Sequence, residues 1–201
     1  MKKMYDVLLF LVILITPAIV FAGNGEEMTK LLGVQLGNDT TLLDVTKRLG
    51  TSRIIETGEA GEYKATVCYY VQKCKTKVEF WSSEMGGDKH EVIGFTLTRT
   101  ENNEGACPPV KTSCEDIQTS NGMHLGMKKG EFTRKLRGKV KQVDGFYQKG
   151  FESRKPTTEK DRRRIGAPSD SSLMWDIVIF VRGAFSRGGL DILEISRTQT
   201  L

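Results

Sequence analysis

Histidine is scarce in this chain, and the short motifs that organise most reaction centres are missing. Only His90 and His124 occur in 201 residues. There is no GxSxG elbow, no HExxH pair and no phosphate-cradling glycine loop. Those gaps remove the common routes to acyl transfer, zinc-assisted hydrolysis and nucleotide chemistry. The four cysteines, Cys68, Cys74, Cys107 and Cys114, form no CxxC knuckle, and none has an obvious activating neighbour that marks it as a catalytic thiol. Long apolar runs are equally scarce. Beyond Ala22 none approaches the roughly 20 residues of a spanning helix. Gly23, not cysteine, stands directly after Ala22, so a lipid anchor on a processed N-terminal Cys is not expected. The expectation is a protein without catalytic residues, metal ligands or cofactor.

What is present starts with a leader. Lys2 and Lys3 precede an apolar stretch from Val7 to Ile15, Pro17 breaks it, and Val20-Phe21-Ala22 resembles a cleavage site. That is the pattern of a secretory signal peptide over 1–22, leaving 179 residues exported to the periplasm or beyond as a soluble chain. An even number of cysteines after such a leader favours disulfides. Proximity in sequence favours Cys68–Cys74 and Cys107–Cys114 among three possible pairings.

The chain then writes one phrase twice. "GVQLGNDTTLLDVTKRLG" begins at Gly33 and "GMHLGMKKGEFTRKLRG" at Gly122, an offset of 89, while "FTLTRT" at 95–100 matches "LEISRT" at 193–198, an offset of 98. Leu42, Val45 and Leu49 recur at helical spacing before Gly50, with Asn38, Asp39 or Thr40 as candidate caps. Phe132 and Leu136 do the same before Gly138. Each helix is followed by short runs rich in Val, Tyr, Phe, Ile and Thr, which read as strands. The expected fold class is α+β: two tandem copies, at 23–105 and 106–201, each a short helical segment followed by an antiparallel sheet. The stretch 152–172, polar and holding two prolines, reads as a mobile basic loop. Strand parity leaves two alternatives open. Cys68 and Tyr70 face the core if Cys68 bonds Cys74; otherwise Val67, Tyr69 and Val71 do.

A doubled GxxLG phrase, a short helix stopped by glycine, then a sheet, resembles two groups. One is the secreted β-lactamase inhibitor proteins, built from tandem helix–helix–sheet repeats. The other is the SmpA/OmlA type of outer-membrane assembly lipoprotein, which carries one such repeat. The resemblance implies a fold more than an activity. The chain lacks the lipoprotein's anchor cysteine and shows no inhibitor-type contact motif.

Charge and aromatic rings supply the candidate site. Residues 23–105 carry net −3 and residues 106–201 net +7. Within 128–164 fourteen basic residues face five acids, and Arg162, Arg163 and Arg164 end the cluster. Such a cluster attracts anions over about 8 Å in physiological salt. Tyr69-Tyr70 and Phe80-Trp81 each send one ring to either side of a strand, and Trp175 raises the same possibility. Tyr69, Trp81, Trp175 and Arg162 to Arg164 are the candidate binding residues. The expected function is a non-enzymatic exported adaptor that meets a protein or an anionic envelope component through an open sheet face and a basic second copy. Nucleic acid ranks last as a partner, and oligomeric state is open. Inhibition of a secreted hydrolase and carriage of a small ligand are the alternatives.

Overall fold

The structure, a computed structural model, describes residues 25–37, 39–59, 61–103 and 107–201. The expected leader at 1–22 lies outside the described residues. A hairpin of β1 (Lys30–Leu31) and β2 (Val34–Gln35) comes first, then α1 (Leu42–Leu49). Strands β3 (Ile55–Thr57), β4 (Lys64–Val71), β5 (Thr76–Ser83) and β6 (Gly94–Arg99) follow as a meander. After a linker come α2 (Lys129–Leu136), β7 (Lys141–Val143) and β8 (Phe146–Pro156). Helix α3 (Glu159–Arg164), β9 (Met174–Ser186) and β10 (Gly189–Thr200) complete the chain.

Strands β3 to β10 form one antiparallel sheet of eight, in the order β3-β4-β5-β6-β10-β9-β8-β7. This overturns the expected fold class. The protein is mostly antiparallel β, with three short helices among the described residues, and not two helix–sheet repeats. The reason lies at the seam. Strand β6 offers a free ladder edge and so does β10. Joining them pairs Phe95 with Ile195 and Leu97 with Leu193, all fully buried. One continuous sheet thereby satisfies both ladders and removes two exposed edges. The edges that remain, β3 and β7, are three residues long and wholly exposed.

One face of this sheet carries the core. Val67, Tyr69, Val78, Phe80, Phe95, Leu97, Leu193, Ile195, Val181, Ile179 and Ile177 run across it from β4 to β9. Leu42 and Val45 of α1 and Phe132 and Leu136 of α2 pack on that face, at the helical spacing the sequence shows. The cap of α1 is Thr41, one residue beyond the expected candidates. Its hydroxyl accepts from Asp44 N–H while the Asp44 carboxylate accepts from Thr41, a capping box.

Two more expectations are corrected. Residues 152–172 are not a loop throughout. Strand β8 stays paired to Pro156, opposite Met174, and a Thr158/Asp161 capping box starts α3. The disulfides are Cys68–Cys107 and Cys74–Cys114. The linker runs parallel to β4, bridging at Tyr70 and Pro109, so the first cysteine of one segment meets the first of the other. Cys68 and Tyr70 thus leave the core side to Val67 and Tyr69, and pack with Cys107 on the opposite face. The bonds close loops of 39 and 40 residues. By chain entropy each is worth about 4 kcal/mol against the unfolded chain.

The repeated phrases have a shared local job. Gly33 sits where a Cβ would come 2.6 Å from Arg48 Nη1, and Gly122 where it would come 3.2 Å from Lys135 Nζ. The second glycine of each phrase receives an arginine from the other half of the chain. A Cβ at Gly126 would lie 2.9 Å from Arg99, and one at Gly37 would overlap the Arg197 guanidinium. Arg197 is 5% exposed and is held by Glu26 and Gln199, so it has no room to yield. Gly37 also has φ +69°. Gly37→Ala should therefore destabilise the fold by about 1–3 kcal/mol. In a denaturation cycle with Arg197→Met, the two losses should couple by at least about 0.5 kcal/mol. Additive losses would show that the arginine does not need the glycine.

Candidate functional site

The sheet's second face is built by the alternate residues of the same strands. Lys77, Glu79 and Trp81 project there from β5, and Gly94, Thr96 and Thr98 from β6. Strand β10 adds Ile192, Glu194, Ser196 and Thr198; β9 adds Val178, Phe180, Arg182 and Ala184. Antiparallel register sets these in rows. Trp81 lies opposite Gly94, Gly94 opposite Ser196, Ser196 opposite Phe180, and Phe180 opposite Gly150. The next row runs Glu79, Thr96, Glu194, Arg182, Gln148 and Lys141. The linker covers the β4 end of this face through Cys107. The helices and the β1–β2 hairpin lie on the core side, and α3 joins them there beside Trp175. Among the described residues no helix covers the middle of the second face.

On this face one row carrying two aromatic rings, with Val178 beside it, lies next to a row of polar and charged residues. Val178 is 40% exposed, and a Cβ at Gly150 beside Phe180 would meet nothing within 4 Å. Trp81 lies flat across Gly94, where any Cβ would collide with the indole ring. Glycine in a strand interior has its purpose here, letting an aromatic ring lie on the backbone. Lys64 sits 5.0 Å from the Trp81 ring centroid, and Arg182 sits 4.8 Å from that of Phe146. Around them run the ion pairs Arg182–Glu194 at 2.9 Å, Lys77–Glu79 at 2.9 Å and Arg154–Asp176 at 2.6 Å. The Asp176 carboxylate raises the Arg154 pKa, through its hydrogen bond and then its charge.

Of the candidates read from sequence, Trp81 alone stands on this face. Tyr69 is 1% exposed on the core side, where its hydroxyl donates to the Gly50 carbonyl at 2.8 Å. Burial pushes its phenol pKa up to about 12. Trp175 is 8% exposed, also on the core side, with the Arg164 guanidinium 5.9 Å from its ring. The arginine triplet is tied down in α3. Arg162 donates to the Thr157 carbonyl at 2.7 Å, Arg163 pairs with Glu159 at 3.3 Å, and Arg164 pairs with Asp39 at 2.8 Å. Lys160 joins the same Asp39 carboxylate. Asp161 is desolvated, which works to raise its pKa, yet hydrogen bonds from Thr158 and the charge of Arg164 leave it lowered.

Much of the basic cluster is thus spent within the chain. Lys129 donates to the Tyr147 hydroxyl, Lys135 to the Asn121 carbonyl, and Lys149 to carbonyls at the end of α2. Lys128, Arg134, Arg137, Lys139 and Lys141 stay exposed with no side-chain partner among the described residues. They gather around α2 and the β7 edge, where Lys141 ends a row of the uncovered face.

Sequence reasoning missed Phe180 and Val178. The signal was there: "MWDIVIFV" is apolar at both parities, so both faces of β9 carry apolar side chains. No three His, Cys, Asp or Glu side chains gather as a metal site among the described residues. Comparison of the chain with known protein families, with curated proteins and with solved structures finds no match in any of the three.

Two measurements check this geometry. Gly94→Val should lift the Trp81 ring into solvent, shift its emission to the red in a Trp175→Phe background, and cost about 1–3 kcal/mol. Unchanged emission would mean that the ring does not lie on Gly94. The second concerns alkali. Folded Tyr69 keeps its proton to about 12, whereas in the unfolded chain it titrates at 10.0. Above pH 10.0 the unfolded state binds fewer protons, so stability falls as pH rises toward 12. The loss reaches about 2–3 kcal/mol across that window. Tyr69→Phe should flatten this slope in denaturant titrations at about pH 9 and about pH 11; an unchanged slope would assign it elsewhere.

Proposed function

We propose that this chain is a non-enzymatic binding protein whose uncovered sheet face docks another protein. The observation that carries the proposal is the row Trp81–Gly94–Ser196–Phe180–Gly150 with Val178 beside it, two aromatic rings and an exposed valine flanked by charged pairs. Protein interfaces have that anatomy: aromatic anchors inside, a polar rim outside. An open antiparallel sheet is also a stiff platform. Every strand except the edges β3 and β7 is paired on both sides, so the rings are held before any partner arrives. The unpaired lysines and arginines around α2 and β7 favour a partner with an acidic surface, which they would steer toward the β7 end of the face.

The proposed setting is outside the cytoplasm. The leader-like start at 1–22 and two disulfides support it. No helix of the described residues is long and apolar enough to cross a membrane. The resemblance to secreted inhibitor proteins adds a specific version, in which the partner is a secreted hydrolase such as a β-lactamase.

The test compares wild type with Phe180→Glu and Val178→Glu on the face, and with Arg163→Gln as a remote control. Partners captured from a cell-envelope extract are identified by mass spectrometry, purified and titrated. Each face variant should weaken binding at least about tenfold, or about 1.4 kcal/mol, while Arg163→Gln binds as wild type. Wild-type affinity in both face variants would remove the proposal. A panel of secreted hydrolases assayed with added protein separates the inhibitor version, which predicts inhibition lost on Phe180→Glu.

A further inference from the structure

A cleft of about 700 Å³ opens between the β1–β2 hairpin, the end of α1 and the linker, and no residue of the Trp81–Phe180 row lines it. Leu32, Leu49, Pro109 and Val110 supply its apolar surface, and Lys30, Arg48 and Lys111 stand around it. All three cations are exposed, and none has a side-chain partner among the described residues. The carboxylate in the lining, Asp116, is already engaged by Ser113 and Thr112, whose hydrogen bonds lower its pKa. The cleft beside α3 is different. There Asp39, Asp161, Lys160 and Arg164 pair with one another and leave little charge unmatched.

The walls are held in place. The Cys68–Cys107 and Cys74–Cys114 bonds clamp the linker to β4. Tyr70 N–H donates to the Pro108 carbonyl, and Val110 N–H to that of Tyr70. On the other side Gly33, at φ +76°, leaves the space that Arg48 occupies, and a side chain there would push the guanidinium away. Leu32 holds φ +49°, a left-handed turn position that Asn or Gly ordinarily fills. An apolar side chain kept there at a conformational cost lines the cleft. A preformed concave site of this size, apolar within and charged at the mouth, has the properties of a small-molecule site.

We propose that this cleft binds an amphipathic organic anion: an apolar chain or ring ending in a carboxylate or sulfonate. The apolar part lies on Leu32, Leu49 and Val110, and the acid meets Lys30, Arg48 and Lys111. The site is independent of the sheet face.

The test uses the intact disulfide-bonded protein and calorimetric titration with laurate below its micelle concentration and with anilinonaphthalene sulfonate. At least one should bind saturably at one site. Dodecyltrimethylammonium, with the same chain and opposite charge, and acetate, with the same head and no chain, should not. Combined Lys30→Gln, Arg48→Gln and Lys111→Gln should weaken the anion at least about tenfold, with melting temperature as the check on folding. Leu32→Asn, which suits the turn, should weaken it without unfolding. Phe180→Glu should leave it unchanged. The proposal is overturned if neither anion binds, if the cationic surfactant binds equally well, or if the triple variant binds as wild type. Loss in Phe180→Glu in place of the triple variant would overturn it too, by moving the site to the sheet face.

Discussion

Arg197 crosses the join between β6 and β10 and lies against Gly37, while Arg99 lies against Gly126 from the other direction. Each half of the chain thereby leaves a side-chain-sized gap that the other half's arginine fills. The glycine backbones are fixed in turn: Gly37 N–H donates to the Val92 carbonyl and Gly126 N–H to that of Leu190. Buried cations need partners, and Glu26 and Gln199 give them to Arg197. The seam cannot slide by a residue without driving these arginines into backbone and turning Phe95, Leu97, Leu193 and Ile195 out of the core. Everything outward from the seam inherits its register, including the rows on both faces.

That register separates two environments on one sheet. The core side is closed by α1, α2, the β1–β2 hairpin and, at its far end, α3. Helix α3 buries no apolar side chain of its own. It is held by ion pairs to Asp39, which lies 121 positions earlier than Lys160. The opposite side keeps Trp81, Phe180 and Val178 without a covering element among the described residues. The helices and the hairpin take one face of this sheet, whereas the linker meets the other at Cys107. The disulfides fasten the linker, and by fixing it they also shape the cleft near Lys30 and Arg48.

Local signals determined local structure. Leu42, Val45 and Leu49 at helical spacing, ended by Gly50, make α1; Phe132 and Leu136 do so for α2. The β-rich runs became strands within a few residues of where they read as such. Edge strands β3 and β7 were not legible, since three exposed residues carry no alternation. Helix α3 was not legible because it has no apolar stripe. Of the candidate rings, Trp81 projects from the uncovered face while Tyr69 and Trp175 lie on the core side, a difference that strand periodicity alone does not state.

The sequence by itself determined which segments extend, which coil, where glycine must stand and how charge divides between the halves. Tertiary structure alone decided the rest: that two groups of strands share one sheet, that the cysteines pair across the linker, and which face of β9 stays open. The physical reason is the range of the information. Helical and strand periodicity are written in neighbouring residues, whereas the β6–β10 seam, the parallel run of the linker beside β4 and the Asp39 contacts of α3 join positions from tens of residues to 125 apart. A period of two states that a strand has two faces. It does not state which one the helices will cover.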